Sequence, residues 1–241
     1  MVPFDVLGVG ASFDVSQPTN HDLAMRMAEL SRSLVPKPSL DTILDEVTMA
    51  AVDLIPGVDT AGILLLERGG KFRSIATTSE LPHQLDILQV TFQEGPCVQA
   101  ALADTVVRTD DFRLETRWPQ YSPAVVEIGV LSGLSFKLYT ADRTAGALNL
   151  FGFKPTTWDS NAETVGSILA AHAAAAIVAT QAQGQLNAAL LSRDRIGQAK
   201  GIIMERFNVD AVRAFNMMRQ LSQESNVKLT DIAQRVIDSG E

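Results

Sequence analysis

Hydrophobic positions along the chain fall into three regimes. Leu23, Met27, Leu30 and Leu34 recur every three or four residues, which predicts a helix from about Asp22 that Pro36 and Pro38 stop. Ser39 stands where a second helix needs its cap. Leu40, Ile43, Leu44, Val47 and Ala51 share one side of that helix, and Pro56-Gly57 ends it. From Ala61 the period shortens. Ala61–Leu66 is a nearly continuous apolar run, Lys71–Thr78 follows, and Arg68-Gly69-Gly70 between them reads as a hairpin turn. Residues 81–90 fit a short helix, Cys97–Ala103 one or two helical turns, and Val106–Arg108 a short strand. Asp110–Pro123 reads as a long polar segment containing Trp118 and Tyr121. Two further strands, Gly133–Thr140 and Ala145–Gly152, flank the turn from Ala141 to Thr144. In the first, Leu134, Phe136 and Leu138 alternate with Ser135, Lys137 and Tyr139, the pattern of a half-buried strand.

Beyond Pro155 the pattern is helical throughout. Thr164–Ser192 contains no Asp, Glu, Lys or Arg, which raises the question of a membrane span. Alanine dominates it, however, and Gln181, Gln183, Gln185 and Asn187 would sit unpaired in hydrocarbon, so no membrane partner is expected. The stripe Ile168, Ala171, Ala175, Val178, Ala182, Gln185 and Ala189 steps by three and four and continues through Ser192, Ile196, Ala199 and Ile203. Small apolar residues at this spacing let two helix backbones approach. They predict a coiled-coil seam, parallel or antiparallel, most simply between two copies of the chain. Ile168, Ala171, Ala175, Val178, Ala182 and Ala189 are its expected seam residues. In its first half the same helix can instead cover the chain's own sheet. Asn208-Val209-Asp210 interrupts the helix after Arg206. Asp210 then caps a helix carrying Val212, Phe215, Met217, Met218 and Leu221, with Phe215 expected in the core. Asn226 or Thr230 opens a third, with Leu229, Ile232, Ala233, Val236 and Ile237. The fold class is therefore α+β: an antiparallel sheet flanked by helices, a long coiled-coil helix and a C-terminal three-helix bundle. Residues 1–20, with Pro3, Gly8, Gly10 and Pro18, show no period and read as a flexible leader.

Composition narrows the chemistry. At 241 residues and 46% hydrophobic, the chain has material for one or two packed domains. Cys97 is the only cysteine, so no internal disulfide or multi-cysteine metal site forms. His21, His83 and His172 are isolated from one another, and no metal site is expected. No basic stretch precedes an apolar core at the N-terminus, so a cytoplasmic location is expected rather than a secreted one. Gly8-Val9-Gly10 lacks the strand and helix of a nucleotide fingerprint. Gly129–Gly133 puts one residue too many ahead of its serine for a nucleophile elbow. Asp110-Asp111 reads as a solvated loop. No catalytic constellation emerges, and the chain is expected not to be an enzyme. Cys97 follows Gly-Pro at a candidate helix start, where a thiol pKa can fall. It is the candidate sensor residue, although a structural role is the plainer reading.

Charge is uneven. Residues 1–186 carry 12 Lys+Arg against 21 Asp+Glu, net -9, whereas residues 187–241 carry 8 against 7, net +1. Arg193 and Lys200 lie about 20° apart on the long helix, and Arg195 and Arg206 form a second pair of about the same spacing. Two such ridges can follow a phosphate backbone. A helical tail that binds a partner protein and no RNA, and a DNA-binding helix-turn-helix in the last two helices, are the alternatives.

Ser192–Arg206, reading Ser-Arg-Asp-Arg-Ile-Gly-Gln-Ala-Lys-Gly-Ile-Ile-Met-Glu-Arg, followed by Ala214-Phe215, Leu221-Ser222 and Lys228–Ala233, resembles the ANTAR family over roughly residues 182–240. The body resembles GAF domains of the type fused to ANTAR in actinobacteria. That resemblance rests on Glu94-Gly-Pro-Cys97, Arg117-Trp-Pro119, Gly129–Ser135 and Gly146-Ala-Leu-Asn-Leu150. It implies a leader over 1–20, a GAF sensor domain over 21–178 and an ANTAR RNA-binding domain over 179–241. It also implies a homodimeric transcription antiterminator that binds nascent RNA carrying two adjacent stem-loops with six-base loops. Arg195, Lys200 and Gly201 on the first helix and Lys228 and Thr230 at the start of the third are implied to face RNA, with Arg193 and Arg206 as phosphate contacts. Ala199, Met204, Ala214, Phe215, Leu221, Leu229 and Ala233 match as module core. GAF domains commonly bind small molecules or mediate dimerisation. The cyclic-nucleotide pattern is not present here and Cys97 does not match a bilin attachment site, so the ligand is unknown.

Overall fold

The computed structural model describes residue 25 and residues 39–66, 71–102, 105–140, 143–156 and 158–239. The leader, the expected helix around Leu23–Leu34 apart from helical, exposed Met25, and the Arg68-Gly69-Gly70 turn lie outside the described residues. Helix α1 spans Leu40–Leu54. The Ser39 Oγ accepts the Thr42 N–H at 3.1 Å, and Leu44, Val47 and Ala51 are fully buried. Strand β1 (Thr60–Leu66) pairs antiparallel with β2 (Phe72–Ile75). The second arm is shorter than the sequence suggests, because Ala76 turns to φ 50° and ends the ladder. Helices α2 (Glu80–Phe92) and α3 (Pro96–Leu102) and strand β3 (Val106–Thr109) follow.

Asp110–Pro123 is not the polar segment its composition suggests. It holds a 3₁₀ turn at Phe112–Leu114 and the start of helix α4 (Tyr121–Glu127). Phe112, Trp118 and Tyr121 are buried with ring centroids 6.0 to 6.3 Å apart, a tilted and edge-on cluster that fills one half of the core. Strands β4 (Ser132–Thr140) and β5 (Arg143–Gly152) complete an antiparallel sheet ordered β2-β1-β5-β4-β3.

The sheet carries helices on both faces. On one face α1 and the beginning of α5 (Ser160–Phe207) pack on Ile63, Leu134, Phe136, Leu148 and Leu150. Gly166 makes the fit close, since a Cβ there would collide with the Phe136 ring. On the other face lie α2, α3 and α4. Both faces being covered corrects the half-buried reading of β4. Ser135 is as buried as Leu134, and only towards Tyr139 does the strand reach solvent.

The chain divides into two compact units at Ile177/Val178. In the second, α5 is joined by α6 (Ala211–Ser225) and α7 (Leu229–Asp238) around buried Ala199, Ile203, Ala214, Met218, Ile232 and Ala233. Ala199 and Ile203 of the continuing stripe are therefore core within the chain, while half-buried Ile196 packs at the edge of that core. Asp210 caps α6, its carboxylate accepting the Arg213 N–H at 2.7 Å. Neither Asn226 nor Thr230 opens α7. Asn226, at φ 52°, closes α6 in the left-handed conformation, Lys228 is the capping position, and Thr230 lies in the first turn. Among the described residues α5 is the one helix long and apolar enough to cross a membrane, but Leu169, Ala173 and Ile177 are buried in the sheet core.

Candidate nucleic-acid interface

An open groove of about 1020 Å³ runs between α5 and the start of α6. Arg193 and Lys200, two turns apart on α5, stand along it with Ile196, Val212 and Phe215. Phe215 corrects the sequence reading: it is 37% exposed and lies outside the module core. The reason is the helical period. Ala214 and Met218, four apart, face the core, which leaves Phe215 and Val212 turned away from it; Leu221 shares the Ala214 face but, near the C-terminal end of α6, is 49% exposed and also lies outside the module core. The apolar positions of α6 are too many for one face, and that surplus is the sequence signal for an exposed aromatic.

The seven residues implied as RNA contacts are not gathered into one patch. Arg206 donates from Nη2 to the Ser239 carbonyl at 3.2 Å, at the C-terminal end of α7, where helix carbonyls lack partners. Arg195, exposed, shares Arg206's side of α5 by helical geometry, away from Arg193 and Lys200. Gly201 is exposed, with open space where a Cβ would stand. Lys228 is exposed and Thr230 half-buried at the start of α7. On the N-terminal part of α5, Ala171, Ala175, Val178, Ala182 and Ala189 are exposed and Ile168 is half-buried, on the side of the helix opposite Leu169 and Ala173. Leu186 and Leu190 extend this apolar surface.

The first unit encloses a polar interior between the sheet and α2, α3 and α4. Ser74 Oγ donates to Asp86 Oδ2 at 2.6 Å, Asn149 Nδ2 to Asp86 Oδ1 at 3.3 Å, and Ser135 Oγ to Asn149 Oδ1 at 2.8 Å. The Cys97 N–H donates to Gln89 Oε1 at 2.8 Å. Burial raises the Asp86 pKa to about 6, outweighing the hydrogen bonds that pull it down. Burial also pushes the Cys97 thiol up, with the Asp86 charge adding to it, which favours the protonated form. The Tyr121 hydroxyl, likewise raised by burial, has no hydrogen-bond partner among the described residues.

The residues behind the sensor-domain resemblance hold structure together. The Glu94 carboxylate accepts the N–H groups of Gln120 at 2.8 Å and Tyr121 at 3.0 Å, anchoring the start of α4. Arg117 stacks over Trp118 at 4.4 Å and donates to the Arg108 carbonyl at 2.6 Å. Burial lifts the Glu115 pKa, but hydrogen bonds from Arg117 and Thr109 prevail and hold it at about 2. Gly146 has φ 152°, and a Cβ there would strike the Leu64 carbonyl of β1. Asp110-Asp111 is not merely solvated: Asp111 accepts the Arg113 N–H at 3.0 Å, and Asp110 accepts the Trp158 N–H at 3.4 Å. No group of three or more His, Cys, Asp or Glu able to hold a metal occurs among the described residues.

Family models match two parts of the chain, the GAF domain over residues 37–178 and the ANTAR domain over residues 184–237. No curated protein matches the sequence. Among solved structures, the GAF domain of an Acinetobacter phosphoenolpyruvate-protein phosphotransferase is 17% identical with a TM-score of 0.53, covering 68% of this chain and 96% of that one. The GAF domain of the corresponding Coxiella burnetii protein is 18% identical with a TM-score of 0.56, covering 69% of this chain and 99% of that one. At these identities the likeness is one of fold.

Proposed function

The chain belongs to the GAF family and carries a C-terminal ANTAR domain, and we propose from this that it is a sensor-controlled transcription antiterminator. ANTAR domains are RNA-binding antiterminator modules and GAF domains are sensors, regulatory rather than catalytic. In this reading the sensor spans residues 21–178 and the RNA module residues 179–241. The module binds twin stem-loops with six-base loops in nascent RNA and holds a structure that excludes the terminator hairpin. The protein acts in the cytoplasm as a homodimer, paired along Ile168, Ala171, Ala175, Val178, Ala182 and Ala189. It carries no enzymatic activity and needs no metal. The sensor takes a small molecule, and Cys97 serves packing there.

The observation that carries the reading is the open groove with Arg193 and Lys200 along it, in residues 187–241, which are net +1 where residues 1–186 are net -9. Arg195, Gly201, Arg206, Lys228 and Thr230 are the remaining proposed contacts, reaching the RNA from the other flank of α5 and from the start of α7. The test is a binding titration of the whole chain against an RNA with two six-base loops, at several salt concentrations. Wild type should bind, with affinity falling steeply as salt rises. Lys200→Ala and Arg195→Ala should each weaken binding about tenfold or more and flatten the salt dependence, while circular dichroism stays unchanged. Wild-type indifference to this RNA at low salt sinks the function; unaltered binding by both variants sinks the interface.

A further inference from the structure

The core of the C-terminal module does not use Phe215. Ala214 and Met218, with half-buried Met217, supply its contribution from α6, and Phe215 lines the groove with Ile196 and Ala211. Isolated exposed aromatics are commonplace. This one lies in a concavity whose volume is at the upper end of small-ligand clefts, with two cations along its length. Gly197 keeps the α5 wall low, since no atom lies within 4 Å of where its Cβ would be. Glycine is disfavoured in a helix interior relative to alanine, so the open wall is held against helix propensity.

An apolar floor with a π-face, flanked by a guanidinium and an ammonium, matches an unstacked base with its phosphates better than it matches a partner helix. A helix fills the floor but answers the cations only where it carries carboxylates at matching spacing, whereas a nucleotide brings ring and phosphate together. Asp194 and Gln198 on the same groove add an acceptor and an amide for a base edge. We propose that Phe215 is the stacking platform for one unstacked loop base, seated in this groove with its flanking phosphates on Arg193 and Lys200. This rests on the RNA-binding reading above and adds to it the residue that holds a base.

The experiment uses the whole chain and a twin six-base-loop RNA carrying 2-aminopurine at each loop position in turn. With wild type, one position per loop should lose fluorescence on binding as its base stacks. Phe215→Ala and Phe215→Leu should abolish that quenching and weaken binding about 5- to 150-fold, the range that corresponds to ~1–3 kcal/mol per stacked base. Phe215→Tyr should retain both signals. The salt dependence should stay at the wild-type slope in the Phe215 variants, since phosphate contacts persist, and flatten in Lys200→Ala. Gly197→Leu gives an independent reading: it should leave or raise helix stability while blocking the groove and weakening RNA. If Phe215→Ala, Phe215→Leu and Gly197→Leu bind and quench as wild type while Lys200→Ala weakens, the stacking site is wrong and the RNA function stands. Restoration by Phe215→Leu means apolar packing without a ring face and also overturns it. If wild type ignores the RNA, both readings fall and the groove serves another occupant.

Discussion

Asp86 illustrates how a single side chain acquires properties its sequence neighbours do not announce. In the sequence it is one acid in a short amphipathic stretch. In the fold it is 2% exposed, held by Ser74 from β2, Asn149 from β5 and Gln89 one turn on, and its pKa rises from 3.8 to about 6. A raised carboxyl pKa means that the folded state holds the proton more tightly than the unfolded chain. The stability from this group is complete below about pH 4 and is lost as pH rises through 6, when the charge must be buried. Asp86→Asn should therefore gain about 2–3 kcal/mol relative to wild type at pH 7.5 and almost nothing at pH 4. Urea unfolding followed by tryptophan fluorescence checks this, because Trp118 and Trp158 both lie in the first unit. An equal difference at the two pH values would contradict the assignment. Glu115 works in the opposite sense. Its lowered pKa stabilises the fold above pH 4.5, and that contribution disappears as pH falls towards 2.

At the scale of elements, helix ends are the most predictable features and interhelical allegiance the least. Ser39 and Asp210 both cap the helices their positions suggest, because a short polar side chain ahead of an apolar period meets the unpaired N–H groups locally. Asp210→Ala should cost about 1 kcal/mol of module stability and Asp210→Asn much less. Both tryptophans lie in the first unit, so the change should appear in the circular dichroism melt and not in the fluorescence melt; a shift in both, or in neither, would count against a local cap. The start of α7 was not legible in this way. Lys228 holds the capping position without a side-chain bond, and Asn226 is used to close α6. The missed 3₁₀ turn and α4 have a similar origin. Phe112, Trp118 and Tyr121 fit neither a period of two nor one of 3.6, and only their meeting in three dimensions turns a polar-looking stretch into core. The continuous stripe on α5 is likewise one pattern in sequence and two environments in the fold. Ala171 and Ala175 are exposed, whereas Ala199 and Ile203 are enclosed by α6 and α7.

For the whole molecule, α5 is the element shared by both units, and pairing of two copies along its exposed face is the proposed basis of signal transfer. A single chain leaves Val178, Leu186 and Leu190 at least 43% exposed beside a run of alanines. Ala175→Glu places a charge in the middle of the proposed seam and should shift sedimentation from dimer towards monomer without altering the fluorescence melt of the first unit. A variant that sediments as wild type would contradict the seam. For a signal to travel through that proposed pairing, the sensor ligand must favour one dimer arrangement over another, and ~3 kcal/mol of such preference would change RNA affinity about 150-fold.

The sequence by itself determined the order of the strands and of the helices other than α4, the caps at Ser39 and Asp210, the acidic body with its more basic tail, and the two family resemblances. These properties depend on residues near one another along the chain, or on the identities of residues alone. Tertiary structure decided which acids are buried, which aromatics form the core, and which part of a uniform apolar stripe is enclosed. The separation of Arg195 and Arg206 from Arg193 and Lys200 follows from helical spacing alone, but tertiary structure placed Phe215 in a groove with Arg193 and Lys200 and brought Arg206 to the Ser239 carbonyl. Those outcomes depend on which surfaces distant segments cover, and burial, desolvation and shared grooves exist only once they have met.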